Sequence, residues 1–229
     1  MKRISLLLFA FLFVLPSCGT MKQLGLAPTS FETITAVREV LNGSAFKAIA
    51  TLQKLNQNGV TGLLPKELQP VLGTLKTLGL GKEIDLVTKQ ITNISGKAVK
   101  ESGGIMKDAI KEVKFTDAVA IVVGGENAAT QVLREAMYGS VKKRYSSQLD
   151  KELEKTEALQ YWPMAVGAHN LFAKNKINGS LSDYIAERSV DVLFLTMGRE
   201  ESKIRKDPAS LGKGVVTKVF DYYVKNKQK

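Results

Sequence analysis

The sequence contains one cysteine and one histidine, Cys18 and His169, in 229 residues. A single cysteine excludes an intramolecular disulfide, and a single histidine excludes zinc sites built on histidine pairs, including the H-E-x-x-H motif. A Ser-His-Asp triad would have to use His169, but no G-x-S-x-G segment is present. We therefore predict no metal, no cofactor and no catalytic residue, and we interpret His169, near Trp162 and Phe172, as a structural side chain.

Long apolar runs are scarce, and the clearest one is Ile4–Leu15, which follows Lys2 and Arg3. A membrane-spanning helix needs about 20 apolar residues, so this shorter run predicts a signal peptide. It ends in Leu15-Pro16-Ser17-Cys18, which resembles the lipobox of a bacterial lipoprotein, in which the cysteine is lipidated and becomes the first residue. The alternative is ordinary secretion, with cleavage after Gly19.

We predict lipidation at Cys18, with residues 1–17 as the signal peptide and residues 18–30 as the lipidated N-terminus and tether. Two or more acyl chains anchor a protein stably, whereas one chain does not. Gly19 follows the cysteine, where an Asp would favour retention in the inner membrane of many Gram-negative bacteria. The expected location is therefore the cell envelope, as an outer-membrane lipoprotein that faces the periplasm.

Basic residues outnumber acidic ones, and the formal net charge is +11. Such an excess favours attraction to anionic surfaces. Basic clusters occur at 142–144, 203–206 and 225–229. For an exported protein we expect the partner to be an anionic lipid, lipopolysaccharide, a glycan or an envelope protein, and not nucleic acid. A solvated basic surface without a dedicated partner is the alternative.

The hydrophobic periodicity predicts an all-α fold, because alternation with a period of two is nowhere sustained. Thr29-x-x-Glu32 and Ser180-x-x-Asp183 have the form of capping boxes. A seam of apolar residues spaced by three and four predicts a long coiled-coil-like helix that continues to Val113. We expect a single-domain helical bundle over residues 31–229. The seam residues are Ile84, Val87, Ile91, Ile94 and Ala98.

Turn residues predict further boundaries. Asn42-Gly43 should either break or only weaken the first helix, and Pro65 should start a second helix that ends at Gly79-Leu80-Gly81. Thr116 is expected to cap a short segment through Val123, followed by a turn at Gly124-Gly125. Asp207-Pro208 should act as the N-cap and first residue of the last helix.

Several segments between Leu64 and Phe220 are similar, in order and spacing, to a bacterial family designated domain of unknown function 4197 (DUF4197), whose members usually carry secretory or lipoprotein leaders. The resemblance implies a helical, exported protein and implies no activity. The chain departs from the family at Asn93-Ile94-Ser95-Gly96-Lys97, where the family usually shows Asn-x-Ala-Ala-Glu. The similar segments are Leu64-Pro65, Leu78-Gly79, Phe115-Thr116-Asp117-Ala118, Gly124, Ala128-Ala129-Thr130, Leu181-x-Asp183-Tyr184, Leu193-Phe194, Glu200-Glu201, Ile204-Arg205-Lys206-Asp207-Pro208 and Val219-Phe220.

Polar residues in the family-like segments are the binding candidates: Thr130, Asp183, Tyr184, Glu201 and Arg205. Glu201 and Arg205 also have the spacing of a helix ion pair, which is a purely structural explanation. We expect a lipid-anchored, non-enzymatic domain that binds an envelope component or a partner protein. The alternative is an enzyme, such as a hydrolase that uses a carboxylate pair like Glu152 with Glu154 or Glu200 with Glu201.

Overall fold

The computed structural model describes residues 26–57 and 81–225, except 157, 173, 175 and 178, together with 73, 76 and 79. These residues contain no strand, which confirms the predicted all-α fold. The signal peptide, the lipidation site and most of the tether lie outside the described residues, as does the helix predicted after Pro65 except at residues 73, 76 and 79. The helices are α1 Ser30–Gln57, α2 Gly81–Glu112, α3 Ala118–Val123, α4 Ala128–Leu153, α5 Ala158–Phe172, α6 Leu181–Lys206, a 3₁₀ turn at Pro208–Leu211, and α7 Gly214–Lys225.

Four long helices form the bundle. Helix α1 packs against α2 and α6, and α4 packs against the same two helices, so the four close into a ring around one core. Burial of a large apolar side chain contributes about 1.5–3 kcal/mol, so these core residues dominate the stability of the domain. The short helices α3 and α7 pack on α1 and on each other. Fully buried core residues include Leu41, Met106, Ile110, Leu133, Leu149, Leu193 and Met197.

The first capping box is confirmed at the start of α1. The backbone N–H of Glu32 donates to Thr29 Oγ1 at 3.1 Å, and the Thr29 N–H donates to Glu32 Oε2 at 2.8 Å. Asn42-Gly43 does not break the helix, which continues to Gln57. Gly43 lies under Leu211, and a Cβ at this position would be 2.5 Å from Leu211 Cδ2. Close packing therefore explains this glycine within a helix.

The long helix predicted from the apolar seam is also confirmed. Helix α2 runs without interruption through Gly103-Gly104, and it ends one residue before Val113. Ile91, Ile94 and Ala98 of the predicted seam are buried in the common core, as expected for the core-facing side of the helix.

Two predicted helix starts are wrong. Asp117, not Thr116, caps α3, because the helix begins at Ala118 and Asp117 Oδ1 accepts a hydrogen bond from the Ala120 N–H at 2.8 Å. Asp207-Pro208 opens only the 3₁₀ turn, which Gly212 ends with a left-handed φ of 63°. The last α-helix starts two residues later, at Gly214.

Among the described residues, no helix combines the length and the apolar character that are needed to cross a bilayer.

The turn between α3 and α4 supplies a matched pair of glycines for a stability test. A Cβ at Gly124 would be 2.9 Å from Ala128 Cβ and 3.0 Å from the Ala120 carbonyl oxygen, whereas a Cβ at Gly125 meets nothing within 4 Å. We expect Gly124→Ala to lower the free energy of unfolding by about 1–3 kcal/mol, because the backbone must shift. Gly125→Ala should change it by less than about 1 kcal/mol. Urea denaturation followed by circular dichroism measures both, and equal losses would contradict this explanation.

Candidate functional site

The most completely buried charge in the described structure is Glu201 on α6, whose side chain is 0% exposed. Its two carboxylate oxygens accept hydrogen bonds from the backbone N–H groups of Ala129 at 2.9 Å and Thr130 at 2.7 Å. These N–H groups belong to the first turn of α4, where a helix has no internal acceptors and carries partial positive charge. Asn127, which occupies the N-cap position of α4, makes no side-chain capping bond. Glu201 therefore caps α4 from another helix.

Arg205 lies one turn after Glu201 and caps a second helix. Its Nε donates to Glu201 Oε1 at 2.7 Å, and its two terminal nitrogens donate to the carbonyl oxygens of Ile121 and Val122, each at 2.9 Å. These carbonyls end α3, where partial negative charge favours a cation. The guanidinium also lies 5.3 Å from the ring centroid of Phe220 on α7, within the range of a cation–π contact.

The Glu201–Arg205 pair thus joins four helices, α3, α4, α6 and α7. The i, i+4 ion pair proposed as the structural explanation is confirmed. Its burial and its contacts with the backbone of α3 and α4 were not predicted. Both charges are satisfied within the fold, which makes the pair a structural element.

The five candidate residues divide between two places. Thr130 lies beside Glu201 and Arg205, and its Oγ1 is buried without a hydrogen-bond partner among the described residues. Asp183 and Tyr184 lie in the first turn of the same helix α6, about 27 Å from Glu201 at about 1.5 Å per residue. The sequence candidates therefore do not form one site.

Asp183 and Tyr184 have local structural contacts. Asp183 Oδ1 accepts a hydrogen bond from Ser146 Oγ at 2.7 Å, and this bond, together with Ser180, lowers the pKa of Asp183. The Asp183 N–H donates to Ser180 Oγ at 3.1 Å, as the second capping box predicted. The Tyr184 ring packs on Trp162 with a centroid distance of 5.2 Å.

A groove of about 680 Å³ lies between α4 and α6, next to Thr130. Phe194, Leu195 and Gly198 line it together with three cationic side chains. Lys203 Nζ pairs with Glu200 at 2.6 Å, and Arg134 pairs with Asp191 at 2.6 Å. Exposed Arg199 forms no ion pair with any residue that the structure describes. The cationic residues are Arg134, Arg199 and Lys203.

Glu126 forms the acidic rim of this groove. Its carboxylate accepts a hydrogen bond from Ser202 Oγ at 2.7 Å and lies 3.5 Å from Lys206 Nζ. The Ser202 hydrogen bond and the charge of Lys206 lower the pKa of Glu126. Glu126 also borders a smaller hollow of about 320 Å³ that Phe220 and Val224 line on the α7 side.

Sequence reasoning missed Arg134 and Arg199. Arg199 and Lys203 are four residues apart on one helix, so their like charges lie close together and destabilise the helix slightly. Such an unfavourable pair suggests that the two residues have a role outside the helix. That spacing was the feature of the sequence that could have identified Arg199 as a binding candidate. No feature of the sequence identified Arg134, because its position beside α6 depends on the packing of the bundle.

The basic clusters at 142–144 and 203–206 are largely neutralised, and the side chains of the cluster at 225–229 lie outside the described structure. Lys142 pairs with Glu187, and Arg144 pairs with Glu112 at 2.9 Å. Lys97 occupies the position where the related family usually has a glutamate, and its Nζ lies 3.3 Å from Glu152 on α4. Hydrogen bonds from Lys155 and Lys97 lower the pKa of Glu152.

The described residues hold no group of three or more His, Cys, Asp or Glu side chains that could bind a metal ion.

Fold and site together define a helical-bundle domain with a buried capping ion pair beside a basic groove. The family model described as "Protein of unknown function (DUF4197)" matches residues 27–221. The chain belongs to this family, and the match begins well before Leu64, the first residue of the similar segments. No curated protein and no solved structure matches the chain.

Removal of the Glu201 charge tests its structural role. In Glu201→Gln the amide N–H₂ must face either the α4 N–H groups or the Arg205 guanidinium, and Arg205 remains buried without a counter-charge. We expect the free energy of unfolding to fall by about 3–5 kcal/mol. The matched control is Glu200→Gln, which breaks only the pair with exposed Lys203 and should cost less than about 1 kcal/mol. Similar losses for the two variants in thermal and urea unfolding would show that the Glu201–Arg205 pair has no special role.

Proposed function

We propose that this chain is a lipid-anchored, non-enzymatic domain of the outer membrane that faces the periplasm and binds an anionic envelope component or an acidic partner protein in the groove between α4 and α6. The anchor is proposed from the sequence, from the apolar run Ile4–Leu15 and from Cys18 at the end of the lipobox-like segment.

The observation that carries the binding proposal is the charge of Arg199, which pairs with no acidic side chain in the described part of the chain. This residue borders a groove with an apolar floor, and Arg134 and Lys203 lie on the same groove. Charged side chains on a concave surface concentrate the electrostatic potential and attract ligands of opposite charge. An apolar floor adds affinity for a ligand that carries both an anionic group and hydrocarbon or aromatic surface.

The direction of the pKa shifts argues against a general-acid role for four carboxyl groups. A general acid needs a carboxyl group whose pKa is raised towards neutrality. Hydrogen bonds to lysine or hydroxyl groups instead lower the pKa of Glu32, Glu126, Glu152 and Asp183. Glu200 and Glu201 form separate ion pairs, with Lys203 and Arg205. This arrangement supports a role for the carboxylates in structure.

Charge reversal in the groove tests the binding site. The probes are purified lipopolysaccharide, phosphatidylglycerol vesicles, peptidoglycan fragments and a pull-down of envelope proteins. For the probe that binds, we expect Arg199→Glu to weaken affinity at least about tenfold, or ~1.4 kcal/mol, in titration calorimetry. The control Lys143→Glu makes the same charge change on an exposed lysine of α4 outside the groove and should change affinity less than about twofold.

Equal losses for Arg199→Glu and Lys143→Glu would indicate general electrostatic attraction and not a site. Failure of all four probes would refute the binding proposal.

The anchor has its own test. Mass spectrometry of the N-terminal peptide from the native membrane fraction should show a chain that begins at Cys18 and carries diacylglycerol and acyl additions. The protein should partition into detergent, since each buried CH₂ contributes about 0.8 kcal/mol. An unmodified N-terminal peptide, or release into buffer without detergent, would contradict the anchor.

A further inference from the structure

The start of α1 and the end of α7 lie at the same end of the molecule. Lys213 Nζ lies 3.8 Å from Glu39, and Lys218 Nζ lies 2.6 Å from Glu32. Residue numbers rise along α7 as they fall along α1, so the two helices are antiparallel. Val224, six residues after Lys218, lies about 9 Å further along α7 and so beyond the level of Glu32, at the start of α1.

This end, which we name the tether end, carries exposed apolar side chains. Leu26 is 73% exposed, Phe31 is 79% exposed and Val224 is 38% exposed. Tyr222 is half-buried and packs edge-on against Tyr223 at a centroid distance of 5.0 Å. A tyrosine beside aliphatic and phenylalanine side chains is typical of the interface between a bilayer and water.

The charge at the tether end suits an anionic surface. Lys225, Lys227 and Lys229 follow Tyr223 within six residues in the sequence, and their side chains lie outside the described structure. Of the acidic groups at this end, Glu32 is held by Lys218, Glu126 lies 3.5 Å from Lys206 Nζ, and Asp221 lies on α7. Lysines near an anionic leaflet are attracted to the lipid phosphates.

The chain that leads to the tether end is short. Eight residue steps separate Cys18 from Leu26, and even a fully extended chain of this length spans at most about 28 Å. Pro28 is buried, so the chain is packed on the bundle from that point. The 32 residues of α2 span about 48 Å, so the opposite end of the bundle lies much farther from a lipid on Cys18.

We propose that the tether end rests on the anionic leaflet that holds the lipid anchor. Leu26, Phe31 and Val224 enter the interface, Tyr222 lies at the level of the headgroups, and the lysines after Tyr223 bind lipid phosphates. This inference rests on the lipid anchor of the proposed function. It brings the basic groove near the membrane, because Glu126 on the groove rim borders the same hollow as Val224.

Two phenylalanines on α1 make a matched test. Phe46 is 75% exposed, nearly as much as Phe31, but it lies fifteen residues further along α1, about 22 Å away at about 1.5 Å per residue. The full-length lipidated chain is prepared with Trp162→Phe and either Phe31→Trp or Phe46→Trp. It is reconstituted into phosphatidylethanolamine–phosphatidylglycerol vesicles with and without brominated acyl chains, and tryptophan quenching is measured.

We expect brominated lipid to quench tryptophan at position 31 at least about twofold more than at position 46, since interfacial side chains enter the acyl boundary by only about 5–10 Å. Trp162 contacts Tyr184, so its replacement can disturb folding. Hydroxyl-radical footprinting of the unsubstituted chain avoids this problem: vesicles should protect Phe31 from oxidation and leave Phe46 reactive.

Equal quenching at the two positions, or stronger quenching at position 46, overturns the proposed orientation. A chain that is lipidated at Cys18 and floats with the vesicles, but shows no quenching at position 31 and no protection of Phe31, overturns the contact and leaves the anchor intact. An unmodified Cys18 without flotation overturns both.

Discussion

A carboxylate can be buried in a protein only where hydrogen bonds and an opposite charge replace the water it loses. Glu201 accepts hydrogen bonds from the first N–H groups of α4 and pairs with the charge of Arg205. Arg205 in turn donates hydrogen bonds to the last carbonyl groups of α3. The pair therefore satisfies backbone groups that the ends of two other helices leave unpaired. The position of α3, the start of α4 and the contact with α7 all depend on these two side chains.

This constraint also determines which groups in the groove can attract an anionic ligand. Because Glu201 occupies the positive end of α4, that helix terminus is not available to an outside anion. Attraction for an anionic ligand has to come from the side chains along the groove, chiefly Arg199, with Arg134 and Lys203 beside it. Glu126 on the groove rim and Val224 at the tether end line the same smaller hollow. A ligand bound near that hollow would lie close to the leaflet if the tether end faces the membrane.

The candidate site was only partly predictable. The spacing of Glu201 and Arg205 was enough to predict their ion pair, because residues four apart on a helix face each other. It could not predict that Glu201 also caps a helix 72 residues earlier in the chain. Asp183 and Tyr184 were candidates because they belong to the family-like segments, and they lie at the opposite end of α6 from Glu201. Arg199 was missed, since its importance comes from a groove that exists only after α4 and α6 pack.

The sequence by itself determined the helical class, the capping boxes at Thr29 and Ser180 and the long helix α2, because these depend on residues within a few positions of each other. Only the tertiary structure decided that Gly43 lies beneath Leu211, that the last helix divides at Gly212, and that Glu201 and Arg205 join four helices. The physical reason is the range of the interactions. Periodicity and capping are local, whereas burial and the pairing of helix ends depend on which distant segments come into contact.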